Sequence, residues 1–241
     1  MCWLASISDQ RISTCLWYRD MNGLQKRTVV LFLCETERKG KPFMSKGDDT
    51  RALILRQASD LASEVGISGL TLGALAERSG LSKSGLFAHF GSKEELQLAT
   101  VRAVQARFVD DIVRPALAHP RGLVRLRALF DGWLQWIAHG PFAGSCPLLA
   151  AASEFDDQPG PIRTALVDGQ IWQRDALIRA LELAIASGEL PPAFDCVQAA
   201  FELRGLLYAA HHDLRLLNDP RGIDLAQRGF ERVIAARPGD Q

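Results

Sequence analysis

Residues 69–98 have the sequence GLTLGALAERSGLSKSGLFAHFGSKEELQL, which predicts two short helices joined by a tight turn and followed by the start of a third. Thr71 can cap the first helix, because its side-chain oxygen can accept a backbone N–H of the first turn, and Gly80 can end it. Ser82 can cap the second helix, which we expect to end near Phe90. A helix, a glycine-containing turn and a second helix together form the arrangement that places the second helix in the major groove of DNA.

Hydrophobic pairs support both helix starts. Leu70 and Leu75 lie one residue before and four residues after the first cap, and Leu81 and Leu86 hold the same positions around the second. Such pairs pack together as hydrophobic staples and fix the angle at which the chain enters a helix. The run Ser92-Lys93-Glu94-Glu95 has the form of a capping box that opens a longer helix.

The sequence upstream predicts a first helix over residues 50–65, with Gly66 as its end. Four residues at helical spacing should form its buried face: Ile54, Ala58, Leu61 and Val65. We expect this face to pack on apolar residues of the next two helices, with two further leucines closing the edges: Leu72, Leu75, Leu86, Phe90, Leu81 and Leu96. The result would be a small three-helix core.

One set of residues in this segment forms a specific pattern: Thr71, Ala74-Leu75-Ala76, Gly80-Leu81-Ser82, Lys83, Gly85, Phe87, His89-Phe90 and Ser92-Lys93-Glu94-Glu95-Leu96. On these residues, the stretch from Thr50 to Thr100 resembles the N-terminal domain of the TetR family of bacterial transcriptional regulators. The remainder of the chain matches the family only in its helical character. The resemblance implies an all-α protein with an N-terminal three-helix helix-turn-helix DNA-binding domain and a C-terminal helical domain for ligand binding and dimerisation.

Helical periodicity continues through the rest of the chain, and no segment alternates convincingly as a strand would. A long helix should run from Ser92 to about Val113, where Pro115 would end it, with a buried stripe of Leu98, Val101, Val104, Phe108 and Ile112. Further helices are expected over residues 122–138, 146–155, 161–187, 195–217 and from Asp224 to near Arg237. The helix that Pro161 opens should bury Ile171, Ile178, Leu181 and Ile185. The predicted fold is all-α.

Three regions are expected along the chain: an N-terminal extension over residues 1–47, the helix-turn-helix domain over 48–97, and a helical effector-binding and dimerisation domain over 98–241. Residues 1–43 show no sustained helical or strand period. We expect the extension to be disordered or to result from an early start assignment, since the sequence from Met44 onward resembles the usual N-terminus of a TetR-like protein. Alternatively, it is an arm whose basic residues contact DNA phosphates: Arg38, Lys39, Lys41 and Lys46.

The chain of 241 residues has 28 basic and 28 acidic side chains, so its formal net charge is zero. A protein without net positive charge has no global field that draws it onto nucleic acid. DNA affinity must then come from a local patch and from specific contacts. This favours a sequence-specific reader over a general coating protein.

The positions of the cysteines indicate neither a disulfide framework nor a metal site, and they are typical of a protein in a reducing compartment. They are scattered without CxxC or mixed Cys/His ligand spacing: Cys2, Cys15, Cys34, Cys146 and Cys196. No apolar run approaches the ~18 residues that a membrane span needs. We therefore expect a cytoplasmic protein without a metal, a cofactor or membrane association.

If the helix after Ser82 enters the major groove, its first exposed residues reach base edges: Lys83, Ser84 and Gly85. Lysine can donate to guanine O6 and N7, and serine can pair with several bases. A glycine inside a helix costs about 1 kcal/mol relative to alanine, so Gly85 allows either close approach of DNA to the backbone or tight packing within the domain. Phe87 stands where the family often has a tyrosine whose hydroxyl reaches a phosphate. It can instead contact a thymine methyl, or only sugar and backbone atoms.

Three residues are predicted to contact DNA phosphates. Thr71 lies at a helix start, where its hydroxyl and backbone N–H can donate to a phosphate, although it can also act purely as an N-cap. The family resemblance implies phosphate contacts for His89 and Lys93. Their alternatives are a partly buried helix-capping histidine and a solvated surface lysine.

A single helix-turn-helix domain makes few contacts with DNA. Proteins of this kind therefore usually bind a palindromic DNA site as a two-fold symmetric dimer. Small residues in the helix from Cys196 to Leu217 would allow close approach of a second helix, while larger neighbours supply apolar area. With the final helix they give the candidate interface residues Phe201, Gly205, Tyr208, Ala209, Phe230 and Val233. TetR-like proteins dimerise through such a four-helix arrangement. The alternative is an ordinary core helix within one chain.

Aromatic residues of the same domain are candidates for an effector pocket. TetR-like proteins surround their effector cavity with the corresponding helices, and an apolar cavity with few polar groups suits a small hydrophobic or aromatic ligand. The candidates are Trp133, Trp136, Phe142, Cys146, Trp172, Tyr208 and His211. Aromatic residues at helical spacing are also typical of an ordinary core, which is the alternative role for each of them.

These features predict a dimeric repressor that a small apolar effector releases from a palindromic DNA operator. The effector would favour a form in which the two DNA-binding domains are wrongly spaced for the operator. An enzyme is not expected, because the sequence contains no GxSxG, HExxH, P-loop or dinucleotide-binding motif. The alternative function is a thiol-based redox-responsive regulator that uses Cys146 or Cys196 as its switch.

Overall fold

The segment that contains the predicted helix-turn-helix folds as four successive helices. A computed structural model of the protein describes residues 46–235, and the elements assigned in that range are helices. The first four are α1 (Lys46–Gly69), α2 (Leu72–Ser79), α3 (Lys83–Phe90) and α4 (Lys93–Phe108). Three residues of the predicted basic arm, Arg38, Lys39 and Lys41, lie outside the described residues, as does the expected end of the last helix near Arg237. The fourth, Lys46, is the first residue of α1.

The remaining elements continue the helical architecture. They are a π-helical turn (Val109–Val113), α5 (Arg114–Leu117), α6 (Leu123–His139), α7 (Pro147–Glu154), α8 (Pro161–Ala186), α9 (Cys196–Arg215) and α10 (Arg221–Ala235). The prediction of an all-α fold, with a helix-turn-helix followed by a larger helical region, is confirmed over residues 46–235. Within that range, none of the helices combines the length and the apolar character needed to cross a lipid bilayer.

Side-chain caps make the helix starts of the helix-turn-helix. Thr71 Oγ1 accepts the Ala74 N–H at 3.1 Å, and Ser82 Oγ accepts the Gly85 N–H at 3.1 Å. Each bond satisfies a backbone donor that has no partner inside the first turn of its helix. Both caps are the ones that the sequence predicts.

Two other helix starts differ from the prediction. Ser92 Oγ accepts the N–H of the third residue of α4 at 3.1 Å, but the Ser92 N–H donates to the Phe90 oxygen at 2.8 Å. The capping box is therefore only half formed. The predicted start of the last helix at Asp224 is wrong, because α10 begins at Arg221. Asp219 Oδ1 accepts the Arg221 N–H at 3.0 Å and starts the helix there.

A mainly apolar core lies beneath the helix-turn-helix. Its buried side chains come from α1 to α4: Ile54, Ala58, Leu61, Ile67, Leu70, Leu72, Leu75, Leu86, Phe90 and Leu96. Most of these residues lie at the positions that helical spacing predicts. Burial of each large side chain contributes about 1.5–3 kcal/mol, so this core is the main support for the short helices α2 and α3.

The prediction that Val65 and Leu81 are buried in this core is wrong. Val65 is 47% exposed, because α1 bends at Gly66 (φ 78°, ψ 165°) and the bend places Ile67 in the core instead. Leu81 is 40% exposed. It lies in the turn just before the Ser82 cap, where the chain runs along the surface, so it does not close the edge of the core.

Pro115 does not end the long helix that begins with α4. The chain passes through the π-helical turn into α5, and Pro115 lies in the first turn of α5. A proline has no N–H, and its ring clashes with the carbonyl four residues earlier. The wider π-helical turn accommodates it. As a result, Val113 is buried and Ile112, predicted in the buried stripe, is only half-buried.

The buried stripe of α8 is displaced from its predicted position. Ile171 is 42% exposed, so its prediction as a core residue is wrong. Leu177 and Leu181 are buried, whereas Ile178 and Ile185 are half-buried. The side of α8 that faces the core is set by its contacts with α4, α6 and α9 rather than by its most hydrophobic residues.

Phe230 packs inside its own chain, which corrects its prediction as a dimer-interface residue. It is 2% exposed, and its ring centre lies 4.7 Å from that of Phe130 in α6. The guanidinium carbon of Arg127 lies 5.1 Å from the same ring centre. Helix α10 therefore turns its aromatic side toward α6, and a second chain cannot use Phe230 without unpacking this core.

Candidate nucleic-acid interface

The outer face of α3 exposes polar and aromatic side chains. Lys83, Ser84 and Gly85 are exposed, and Phe87 is 58% exposed. Lys83 and Phe87 are four residues apart and Ser84 and Phe87 three, so the three side chains share one side of the helix. The opposite side is buried in the core of the head, the unit formed by α1 to α4. A cation, a hydroxyl and an exposed ring are side chains that can read base edges.

Gly85 has a contact inside the protein that bears on its role. A Cβ at this position would lie 3.0 Å from Ser82 Oγ, the atom that accepts the Gly85 N–H. The missing side chain therefore leaves room for the cap of α3. This supports packing within the domain, and the exposed position also leaves the backbone open to a ligand.

The three residues predicted at phosphates lie at helix ends: Thr71 at the start of α2, His89 at the end of α3 and Lys93 at the start of α4. The Thr71 oxygen accepts an N–H of α2, which leaves its hydroxyl proton to donate. His89 is half-buried in the last turn of α3, and Lys93 is exposed at the first position of α4. The N-terminal ends of α2 and α4 carry the positive ends of their helix dipoles, which favour a nearby anion.

Arg51 is a residue of this region that sequence analysis missed. Its Nη1 donates to the backbone oxygen of His89 at 2.5 Å, and its guanidinium carbon lies 4.6 Å from the centre of the Phe90 ring. The contact joins α1 to the last turn of α3 across 38 positions of sequence. No periodic signal marks it, because Arg51 is half-buried at the edge of the core.

The loop between α6 and α7 is bonded to α1. The Gly144 N–H donates to Ser63 Oγ at 2.9 Å, and the Ser145 N–H donates to the Ser63 oxygen at 2.9 Å. A Cβ at Gly144 would lie 2.1 Å from that oxygen, so only glycine permits the approach. The Ser145 hydroxyl also lies 2.6 Å from Nε2 of His211 in α9. One loop thus contacts both α1 and α9.

A second contact holds the bend of α1. Glu154 Oε2 in α7 accepts the Ser68 N–H at 2.8 Å, and a Cβ at Gly66 would lie 2.5 Å from the other carboxylate oxygen. Gln97 Nε2 in α4 donates to the Ile67 oxygen at 2.6 Å. Side chains of α4 and α7 therefore fix the bend that leads from α1 into α2.

A small cavity lies between α4, the π-helical turn, α6 and α8. Its volume is about 20 Å³, and its wall is formed by Phe108, Ile112, Val113, Leu129, Trp133, Trp172, Gln173, Ala176 and Leu177. Two predicted effector residues, Trp133 and Trp172, are among them. Gln173 was not predicted from the sequence; it is 9% exposed, and its Oε1 has no hydrogen-bond partner among the described residues. The sequence could not single out this glutamine in α8, because hydrophobic periodicity does not show which side chains lack a hydrogen-bond partner.

The other effector candidates do not line this cavity. Trp136 Nε1 donates to Cys146 Sγ at 3.3 Å, and its ring packs edge-on against Phe142 with centres 5.3 Å apart. Tyr208 is half-buried in α9. His211 is bonded to the loop of Ser145, and burial lowers the pKa of its imidazole, which favours the neutral form.

The two described cysteines lack the surroundings of a reactive thiol. Burial raises the pKa of Cys146, although the N–H of Trp136 donates to its sulfur and partly offsets the effect. Burial also raises the pKa of Cys196, and the carboxylates of Glu182 and Asp195 raise it further. A redox-sensitive cysteine needs its thiolate stabilised by nearby positive charge. These surroundings do not favour the redox alternative.

Helix α9 exposes a ridge of residues spaced four apart. Val197 is 66% and Phe201 69% exposed, and Gly205 and Ala209 are also exposed. Apart from its chain neighbours and the adjacent backbone of α9, no described atom lies within 4 Å of the place that a Gly205 Cβ would take. Val233 in α10 is half-buried. Val197 was not predicted from the sequence, and it extends the predicted row of Phe201, Gly205 and Ala209 by one helical turn.

Comparison with known proteins agrees with this architecture. Residues 54–100 match the family model described as bacterial regulatory proteins, tetR family, and residues 122–230 match the one described as tetracyclin repressor-like, C-terminal domain. A solved TetR transcriptional regulator from Chloroflexus aurantiacus is similar in structure, with a TM-score of 0.73 and 24% identity over 80% of this chain and 98% of that one. At this identity the likeness shows the fold.

Two curated relatives are similar in sequence. The HTH-type transcriptional activator FasR of Mycolicibacterium smegmatis is 34% identical over 96 residues, which are 38% of this chain and 42% of FasR. The HTH-type transcriptional repressor AcnR of Corynebacterium efficiens is 34% identical over 88 residues, which are 36% of this chain and 46% of AcnR. The chain thus aligns with less than half the length of either relative, and both are regulators by name rather than enzymes. With both of its helical parts matched by models of one family, the chain belongs to the TetR family of bacterial transcriptional regulators.

Proposed function

We propose that this protein is a dimeric, sequence-specific DNA-binding repressor that a small, uncharged and largely apolar effector releases from a palindromic operator in the cytoplasm. The observation that carries the proposal is the outer face of α3, where Lys83, Ser84 and Phe87 are exposed together on a helix capped by Ser82. A short helix supported on one side and exposed on the other suits the second helix of a helix-turn-helix, which enters the major groove.

Base reading and phosphate binding fall to different residues in this proposal. Lys83 donates to guanine and Ser84 pairs with a neighbouring base, while Phe87, which has no hydroxyl, contacts a thymine methyl. Phosphate contacts fix the head on the duplex without specifying sequence. They come from the helix ends, at Thr71, His89 and Lys93.

Replacing Lys83 and Ser84 together by alanine should reduce the preference for the operator over other duplexes, by roughly 1–3 kcal/mol for each base that is no longer read. Lys93→Ala should instead weaken binding to all sequences alike and lower the slope of log affinity against log salt by about 1. Competition binding across a salt series, using the best duplex selected from a random pool, measures both quantities.

Arg102→Ala, at an exposed position of α4, is the matched control and should change neither quantity. If Lys93→Ala changed sequence preference alone, the two roles would be wrongly assigned. A random pool that yielded no palindromic sequence would contradict the proposed function itself.

The exposed ridge of α9 supports the dimer. Residues four apart form the rows that interdigitate when two helices pack at the crossing angle most common in globular proteins. Gly205 and Ala209 let two backbones approach closely, while Val197 and Phe201 add apolar area. A two-fold axis through this ridge would carry two α3 helices to successive major-groove faces, about 34–36 Å apart or a multiple of that distance.

Phe201→Glu should dissociate the dimer, because it would bury a carboxylate in an apolar contact. Loss of a central aromatic anchor costs at least about 2 kcal/mol, which raises the dimer dissociation constant by roughly thirtyfold. Analytical ultracentrifugation over a concentration series measures it. Leu117→Glu, at a position 50% exposed on α5, is the control and should leave assembly unchanged. A Phe201→Glu protein that dimerised as tightly as the native one would exclude this ridge as the interface.

The cavity wall narrows the chemical class of the effector. A buried amide oxygen without a partner costs about 1–3 kcal/mol. A water in the cavity would need about 2–4 polar partners, and apart from Gln173 the wall residues are aliphatic or aromatic and do not provide them. Gln173 Oε1 is itself buried, so a ligand N–H or O–H would satisfy it only after the wall has moved. No charged side chain lines the described wall, so a charged ligand would be left uncompensated.

Entry of such a ligand requires the wall to move. A cavity of about 20 Å³ has room for about one water molecule. Trp172 and Ile112 are half-buried members of the wall, and Ile112 belongs to the π-helical turn. π-Helical turns recur at functional sites. The π-helical turn and Trp172 are therefore the proposed places of opening.

Gln173→Met should raise the free energy of unfolding by about 1 kcal/mol, because it removes an unpaired buried amide at nearly constant volume. Gln170→Met on the same helix is the matched control. It should lower that free energy by about 0.5–1.5 kcal/mol, since Gln170 Oε1 accepts a hydrogen bond from Arg204 at 3.3 Å. Urea unfolding at one protein concentration compares them. Equal destabilisation by both changes would make Gln173 an ordinary structural residue.

The effector signal reaches the head through the loop that follows α6. Helix α6 contributes Leu129 and Trp133 to the cavity wall, and the loop at its end is bonded to Ser63 in α1 and to His211 in α9. A shift of α6 on ligand binding would therefore act both on the head and on α9, the helix of the proposed dimer interface. A coupling of about 1–3 kcal/mol would change DNA affinity roughly 5–150-fold.

Gly144→Ala should lower operator affinity in the absence of any effector, because the new Cβ would meet the Ser63 oxygen at 2.1 Å and push the loop away from α1. The expected loss lies within the coupling range, roughly 5–150-fold. Ala143→Ser, exposed in the same loop, is the control. Duplexes with altered half-site spacing complete the measurement: a smaller loss at another spacing supports displacement of the heads, and an equal loss at every spacing contradicts it.

A further inference from the structure

The last turn of α3 is held by a bond from another helix. The final carbonyl groups of an α-helix have no partner inside the helix. In α3, the Phe90 oxygen accepts the nearby Ser92 N–H at 2.8 Å, whereas the His89 oxygen accepts Nη1 of Arg51 in α1 at 2.5 Å. Arg51 thus supplies a bond that the local chain does not. Its positive charge also lies at the negative end of the α3 dipole.

The same guanidinium is fixed in a second direction. Its carbon lies 4.6 Å from the centre of the Phe90 ring, and Phe90 is 5% exposed in the head core. A planar guanidinium can stack on a ring and donate from its edge at the same time, which a lysine ammonium cannot do. Arg51 is therefore held between a buried ring and a helix end.

Such a bond matters because α3 has only 8 residues. Helices of this length are not stable alone in water, so their orientation comes from their anchors. The anchors on the buried side, Leu86 and Phe90, are four residues apart and lie along one line of the helix. Rotation about that line is resisted by a contact at the helix end, which Arg51 provides.

We propose that Arg51 is a positioning residue for DNA reading. It sets the angle at which α3 presents Lys83 and Ser84 to base edges, and it does not itself bind a phosphate. This inference rests on the proposed DNA-binding function. Its consequence is specific: removal of the Arg51 side chain changes which sequences are preferred and leaves the number of phosphate contacts unchanged.

Two substitutions separate the geometry of Arg51 from its charge. Arg51→Lys keeps the charge and removes the planar fork, and Arg51→Met removes both. Each should reduce discrimination between the selected operator and its single-base variants roughly fivefold, the lower end of what one base contact provides. The salt slope and the affinity for unrelated duplexes should stay the same. Competition binding of the full-length protein across a salt series gives all three values, with Arg102→Met as the control.

A phosphate contact would give a different pattern. Arg51→Lys would then keep the native affinity, and Arg51→Met would lower the salt slope by about 1 with discrimination intact. Either that result or unchanged discrimination in both variants would overturn the inference. Loss of the far-ultraviolet helical signal would also overturn it, because Arg51 would then hold the head together rather than orient α3. Failure of the native protein to select any duplex would instead refute the proposed function.

Discussion

An eight-residue helix cannot keep its shape in water, because isolated helices shorter than about 12–15 residues are marginal. Helix α3 is such a helix, and its structure comes from its surroundings. Ser82 caps its start, Leu86 and Phe90 bury one side, and Arg51 bonds its end. Since one side is fully used for anchoring, the exposed side is left for recognition. The packing of α1 to α4 is therefore the condition for any reading of DNA, because it alone gives α3 a fixed face.

Several interactions between near neighbours in sequence could be predicted, and those between distant segments could not. The caps at Thr71 and Ser82 join residues three positions apart, so residue type and order were sufficient. Val65 fits the helical spacing of α1 but is exposed, because a bend held by α4 and α7 puts Ile67 in its place. Phe230 fits an apolar stripe equally well whether its own chain or a second chain covers it. Periodicity identifies a face but not the partner of that face.

The candidate site likewise contains residues that could be predicted from the sequence and residues that could not. The exposed side of α3 follows from the sequence of one helix, so Lys83, Ser84 and Phe87 could be singled out together. Arg51 and Gln173 could not, since the first acts across 38 positions of sequence and the second is notable only for lacking a partner. The bonds from the loop after α6 to α1 likewise depend on a close approach that no pattern of residue types encodes. The residues that could not be predicted are thus those whose role depends on contacts between segments far apart in sequence.

The absence of net charge connects the dimer with the proposed release mechanism. A strongly basic protein would remain on DNA through general attraction even when its two heads were misaligned. This chain has balanced charges, so in the proposed dimer its affinity would depend on local contacts made by both heads at once. If one head lost its alignment, most of the binding would be lost, because the other head alone would make few contacts. A small movement at the joint between Ser63 and Gly144 would then be sufficient to control binding. In the proposed mechanism, neutral charge makes the spacing of two heads, rather than the attraction of either one, the quantity that an effector has to change.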